Sequence, residues 1–291
     1  MTGLPITDYY QLLVKMCEQY SADELIENCK SLNRSYNLFD PAIIQWKKIL
    51  LSFSKSDLIL QELQKIAYPN QVINDLFLRN YQCERIIKYF LLKKLMGLKE
   101  NIVAFEMCVG SSRIDICRIN GHTYAYEIKT EYDSFKRLQT QLPTYRKYFD
   151  YVYVVTPLNR INDLIQNIPG DCGIIGYTIK KGVCRFSYKR RAQKNNCDIH
   201  LCIQSFSTLE LTKFIKMMGS KKIPMHRVEK EIIATELGCK KNAWKIYRTI
   251  LKERYVKKWN FIVENREKIL PIDMQEFFSS TLSPEIFYQK K

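Results

Sequence analysis

Apolar residues in the first third of the chain recur at helical spacing, and from about residue 102 strand-like alternation takes over. Residues 1–70 read as helical throughout. Ser21-Ala22-Asp23-Glu24 forms a capping box, and Pro41 opens a helix over 42–53. Tyr68-Pro69-Asn70 marks a boundary. Cys83, Ile86, Ile87, Phe90, Leu91 and Met96 then predict an amphipathic helix over 81–96. Ile102-Val103-Ala104-Phe105-Glu106 reads as the first core strand. Arg113-Ile114-Asp115-Ile116-Cys117-Arg118-Ile119 alternates polar and apolar, and Thr123-Tyr124-Ala125-Tyr126-Glu127-Ile128-Lys129 is aromatic and β-branched. Asn120-Gly121 between them is a hairpin signal, because both residues tolerate positive φ.

Phe135, Leu138, Leu142, Tyr145 and Phe149 form a helical stripe, predicting a helix over 134–148. Tyr151-Val152-Tyr153-Val154-Val155-Thr156 reads as a buried strand closed by Pro157. Strand, helix, strand is a crossover into a sheet. Residues 172–179 and 182–188 read as closing strands. A second capping box, Ser207-Thr208-Leu209-Glu210, opens a helix to Met218, and one or two more helices follow over 228–262. The expected class is α/β, a mixed central sheet flanked by helices with helical additions at both ends. The expected parts are an N-terminal helical extension at 1–70, a core at 71–200 and a C-terminal helical region at 201–291.

The chemistry sits on the central hairpin. Strand periodicity puts Glu127 and Lys129 on one face, and Asp115 falls near the same end of the hairpin. Two carboxylates and a lysine converging at a sheet edge are the parts of a metal-dependent phosphodiester hydrolase. Carboxylate oxygens suit Mg²⁺ or Mn²⁺. Such a metal lowers the pKa of a bound water, and a lysine offsets charge on the phosphorus. Arg137 and Gln141, four residues apart, flank the helical stripe and lean toward the strand ends. The competing reading is plain: polar residues on a solvated hairpin face.

The run from Gly110 to Val155 resembles the core of the PD-(D/E)XK nuclease superfamily, in which an Asp on one strand and an acidic-x-Lys on the next bind the metal. Asp115, Glu127 and Lys129 match those positions. The pattern is most similar to a little-characterised bacterial, defence-associated family within it. The shared positions are Glu106, Arg113-x-Asp115, Gly121, Tyr126-Glu127-x-Lys129, Asp133, Arg137-Leu138, Gln141, Tyr145 and Phe149-Asp150. Ile114 stands where the superfamily usually has Pro. The resemblance implies a restriction-endonuclease-like core and a role in anti-phage defence. It also implies a third carboxylate ligand, from Glu106 or from Glu84 on the first core helix.

Charge agrees with a phosphate-rich partner. The net charge is +16. Residues 1–100 carry 13 Lys+Arg against 11 Asp+Glu, while 101–291 carry 33 against 19, so the excess travels with the core. Lys180, Lys181, Arg185, Lys189, Arg190, Arg191 and Lys194, interleaved with Phe186 and Tyr188, form the densest basic stretch. Together with Arg113 and Arg137, these side chains are candidates for phosphate contact, the aromatics for stacking on bases. A solvated edge hairpin guarded by charge is the alternative. Ten cysteines without a CxxC pair, no secretory start and no stretch of transmembrane length lead to an expectation of a reduced, cytoplasmic protein. The leading expectation is a metal-dependent endonuclease acting on DNA. A catalytically silent nucleic-acid-binding protein of the same fold and a protein-interaction subunit of a defence complex are the alternatives. A protein partner for the N-terminal helices and a homodimer are further expectations.

Overall fold

The computed structural model describes residues 6–97, 100–180, 182–279 and 283–288. Lys181, a candidate phosphate contact, lies outside them. The chain forms two compact units, divided between Tyr89 and Phe90; residues Glu267–Glu276 and the segment after 282 belong with the first.

The first unit is helical. It contains α1 (Ile6–Cys17), α2 (Ala22–Ser35), α3 (Ala42–Ser52), α4 (Asp57–Ile66), α5 (Pro69–Asn80) and the start of α6 (Glu84–Met96). The capping box forms as expected: Ser21 Oγ accepts from the Glu24 amide, and the Glu24 carboxylate accepts from the Ser21 amide. Leu13, Leu32, Ile49, Phe53, Leu63 and Phe77 are fully buried in its core. The boundary expected at Tyr68-Pro69-Asn70 is only a break between helices. Pro69 occupies the first turn of α5, where its missing N–H costs nothing, and α5 packs on α2 and α3. Asp273, with no exposed surface, accepts hydrogen bonds from the hydroxyls of Tyr36 and Tyr288.

The second unit is an α/β layer built on a six-stranded mixed sheet. Its strands are β1 (Ile102–Val109), β2 (Ser112–Asn120), β3 (His122–Ile128), β4 (Tyr151–Pro157), β5 (Gly173–Lys180) and β6 (Val183–Arg190), in that spatial order. β3, β4 and β5 run parallel, and the other pairs are antiparallel. At the hairpin only Gly121 takes positive φ (65°), and Asn120 belongs to the strand, pairing with His122. The crossover helix α7 spans Leu138–Tyr148 and starts later than expected. The segment before it is held otherwise. Asp133 accepts from the Thr130 amide and hydroxyl, and Arg160 donates to the carbonyls of both residues while lying 4.1 Å over the Phe135 ring. Arg137 is therefore the residue before the helix, exposed at its N-cap.

α8 (Ile161–Asn167) links β4 to β5, and α9 (Ile199–Gln204), α10 (Thr208–Met217), α11 (Arg227–Gly238) and α12 (Ala243–Asn265) follow the sheet. The last four do not form a separate region. Cys202, Phe206, Phe214, Tyr247 and Leu251 share one core with Cys117, Ala125, Val152 and Val154 of the sheet. The sheet buries one face against these helices and α7, because single amphipathic helices cannot cover their own stripe.

Candidate functional site

The strand registers bring three carboxylates into one row. Phe105 pairs with Ile116 and Met107 with Ile114, which puts Glu106 opposite Asp115. Ile116 pairs with Tyr126 and Cys117 with Ala125, which puts Asp115 opposite Glu127. Directly opposed residues share a face. Asp115 is 9% exposed and Glu127 2%. Neither opposed pair belongs to its ladder, and each gap has a cause. Glu106 has φ +54°, a left-handed conformation that a non-glycine residue adopts at a cost of about 1–3 kcal/mol. At Asp115 the side chain substitutes for the ladder: its Oδ2 accepts from the Ile128 amide at 2.6 Å.

Carboxylate oxygens of Glu106 and Asp115 lie within 4.8 Å of each other. Such a pair repels unless cations intervene. Arg113 supplies one, its Nε 2.6 Å from Glu106 Oε2. Arg113 thus faces a carboxylate on its own sheet, although most of its side chain is exposed. A hard divalent cation would serve the same pair of oxygens, and the all-carboxylate donor set fits Mg²⁺ or Mn²⁺.

Glu127 is held differently. Lys129 Nζ lies 2.6 Å from Glu127 Oε1, and the Tyr145 hydroxyl lies 3.0 Å from Oε2. Lys129 is itself buried, 4% exposed, and donates to Gln141 Oε1 at 3.4 Å. Gln141 Nε2 in turn donates to the Tyr145 hydroxyl at 3.3 Å, and that hydroxyl lies 2.8 Å from the Arg113 carbonyl oxygen. Burial, then the neighbouring Glu127 carboxylate, hold the Tyr145 phenol well above its ordinary pKa, so it stays a neutral donor. Asp115 and Glu127 stand opposite each other across β2 and β3, Lys129 and Gln141 lie beside Glu127, and Glu106 lies beside Asp115. Glu84 lies in the first unit at the start of α6, where its carboxylate accepts from Lys88.

The sequence carries Tyr145 as a core-stripe residue and as a position shared with the resembling family, without a role for its hydroxyl. Its hydroxyl is the signal: a phenol on a buried face needs a polar partner, and the residue one helical turn earlier is Gln141. The basic residues of β5, β6 and the position just after them divide. Arg190 is structural, its guanidinium donating to the carbonyls of Cys172 and Pro169, both at 2.7 Å. Lys180, Arg185, Lys189 and Arg191 are exposed. Every cysteine is a free thiol. No helix among the described residues is long and apolar enough to cross a membrane.

Residues 78–277 match the family described as Bacteriophage P4 protein cII. A curated relative, Protein cII of Enterobacteria phage P4, is 27% identical over 184 residues, 61% of this chain and 68% of the relative. No solved structure matches. With the whole sheet, the carboxylate row and helices α7 to α12 inside the matched span, the chain belongs to the bacteriophage P4 protein cII family.

Proposed function

We propose that this chain is a metal-dependent endonuclease acting on DNA, built on a restriction-endonuclease-like core. The observation that carries the reading is the row Glu106–Asp115–Glu127 across β1, β2 and β3, with Lys129 buried against its last member. An Asp on one strand and Glu-x-Lys on the next is the arrangement that the PD-(D/E)XK resemblance implies. The ligand set drawn from the second unit alone is Asp115, Glu127 and Glu106. Mg²⁺ or Mn²⁺ held there would supply a water of lowered pKa and polarise a phosphoryl oxygen. Lys129 offsets charge that develops on the phosphate, and Gln141 fixes where its ammonium sits. Arg137, Arg185, Lys189 and Arg191 are the exposed cations offered to neighbouring phosphates. A role in anti-phage defence, which rests on the resemblance, belongs to the same proposal, as do a cytoplasmic setting and a protein partner for the N-terminal helices.

One observation favours a silent nucleic-acid-binding protein instead: both Glu127 oxygens have protein partners, Lys129 and Tyr145. A cleavage panel of linear, supercoiled and single-stranded DNA with Mg²⁺ and Mn²⁺ separates the two readings. Metal-dependent product supports the endonuclease. Binding without product on every substrate supports the silent fold.

A further inference from the structure

Alternation along the strands gives the sheet a second face, away from Glu127 and Lys129, with different chemistry. It carries Tyr124 and Tyr126 from β3, Tyr151 and Tyr153 from β4, and Tyr188 from β6. No position of β2 to β6 on that face is Asp or Glu.

The rings of neighbouring strands are stacked against one another and fixed in place. Tyr124 stacks on Tyr151 with centroids 4.9 Å apart and planes at 15°, and the Arg118 guanidinium lies 3.6 Å from the centroid of Tyr124. One row along, Tyr126 stacks on Tyr153 at 5.6 Å and 17°. Gly173 makes this possible, since a Cβ there would meet the Tyr153 ring at 2.3 Å. Tyr188, 46% exposed, stands edge-on to Tyr153 at 5.7 Å. Its own ring is flanked by Lys94 at 5.4 Å and Arg191 at 5.7 Å. Tyr124, Tyr151 and Arg118 keep part of their surface in solvent. The Arg118 Nε, buried under this layer, has no hydrogen-bond partner in the protein.

We propose that this face binds single-stranded nucleic acid, with unpaired bases stacked on Tyr151 and Tyr188 and phosphates held by Arg118, Lys94 and Arg191. Partly exposed rings at the ends of the stacks, edged by cations, match a strand of alternating bases and phosphates. Paired bases keep their faces inside the duplex stack, so only unpaired ones reach a ring on a sheet. Pre-set rings also lose little conformational freedom on binding. The surface is separate from the carboxylate row and does not depend on cleavage there.

The test uses the full chain in EDTA, which removes cleavage from the readout. Fluorescein-labelled oligo-dT, oligo-U and a duplex of equal length are titrated by anisotropy. Single strands should bind more tightly than the duplex. Tyr151→Leu and Tyr188→Leu should each weaken single-strand binding about tenfold. Tyr151→Phe and Tyr188→Phe should match the parent, and Arg118→Gln should flatten the slope of affinity against salt. Photocrosslinking of the unaltered chain to a 5-iodouracil oligonucleotide should map to peptides containing Tyr151 or Tyr188, which keeps the test open should a leucine variant misfold. Crosslinks confined to other peptides, tighter binding of the duplex, or leucine variants that bind like the parent would each overturn the proposal.

Discussion

Replacing Tyr145 by Phe removes one oxygen from the middle of the site and leaves the ring that fills the core. That oxygen lies 2.8 Å from the Arg113 carbonyl, 3.0 Å from Glu127 Oε2 and 3.3 Å from Gln141 Nε2. Tyr145 has no exposed surface, so water does not replace it. A hydrogen bond to a charged group contributes about 1.5–3 kcal/mol net, and the groups left behind lose a partner. Gln141 is only half-buried and regains solvent on its own. The expected loss is about 2 kcal/mol. For a unit of this size each kcal/mol shifts Tm by roughly 2–4 °C, so the unfolding of the sheet unit should fall by about 4–8 °C. Urea unfolding should show a lower midpoint at unchanged slope. A cycle with Glu127→Gln should return a coupling of about 0.5–3 kcal/mol. A Tyr145→Phe chain within about 0.5 kcal/mol of the parent, with no coupling to Glu127, refutes the idea that this hydroxyl holds Glu127 in place.

Lys129→Ala should keep substrate affinity and lose about a hundredfold in the saturated cleavage rate, because the ammonium acts on charge present only in the transition state; weaker binding with an unchanged saturated rate would make Lys129 a ground-state contact. Glu106→Gly should relieve the backbone strain at φ +54° and leave the chain as stable as the parent or up to about 1 kcal/mol more so, while weakening Mn²⁺ binding by calorimetry; a clear loss of stability would contradict it. Burial raises the Asp273 carboxyl from 3.8 to about 6, against the hydrogen bonds from Tyr288 and Tyr36. Its folded value lies above its unfolded one, so folding takes up a proton: the contribution is fully present below about pH 4 and about 3 kcal/mol is lost as pH rises to about 6. Asp273→Asn should flatten that part of the stability–pH curve, and an unchanged slope would reject the assignment.

The hairpin was legible because three local signals agreed: alternation in Arg113–Ile119, the glycine at 121, and the side-chain period that sets Asp115 against Glu127. What the spacing could not carry was tertiary. Glu106 reads as a strand residue and a candidate ligand, and no local propensity encodes its positive φ. The later start of α7 depends on Arg160, a residue beyond the next strand. Arg190 looks like its neighbours Lys189 and Arg191 in sequence, and only the reach of its guanidinium to Cys172 and Pro169 separates them. The region from 201 reads as a run of helices after the strands end, yet the apolar stripes of α9 to α12 close the core of the sheet. The tyrosine face is hidden in the sequence for a related reason. A run such as Tyr151–Thr156 reads as buried on both sides, whereas one side of β4 carries Tyr151, partly open to solvent.

The most direct measurement is plasmid cleavage by the parent chain and by Asp115→Asn, each in Mg²⁺, in Mn²⁺ and in EDTA. The substitution keeps an oxygen to accept from the Ile128 amide and removes only the charge of the central carboxylate in the row. The account predicts conversion of supercoiled DNA by the parent with either metal, none in EDTA, and none by Asp115→Asn in any of the three. Cleavage by Asp115→Asn at the parent's rate, or no product from the parent on any DNA while it still binds DNA, would contradict it.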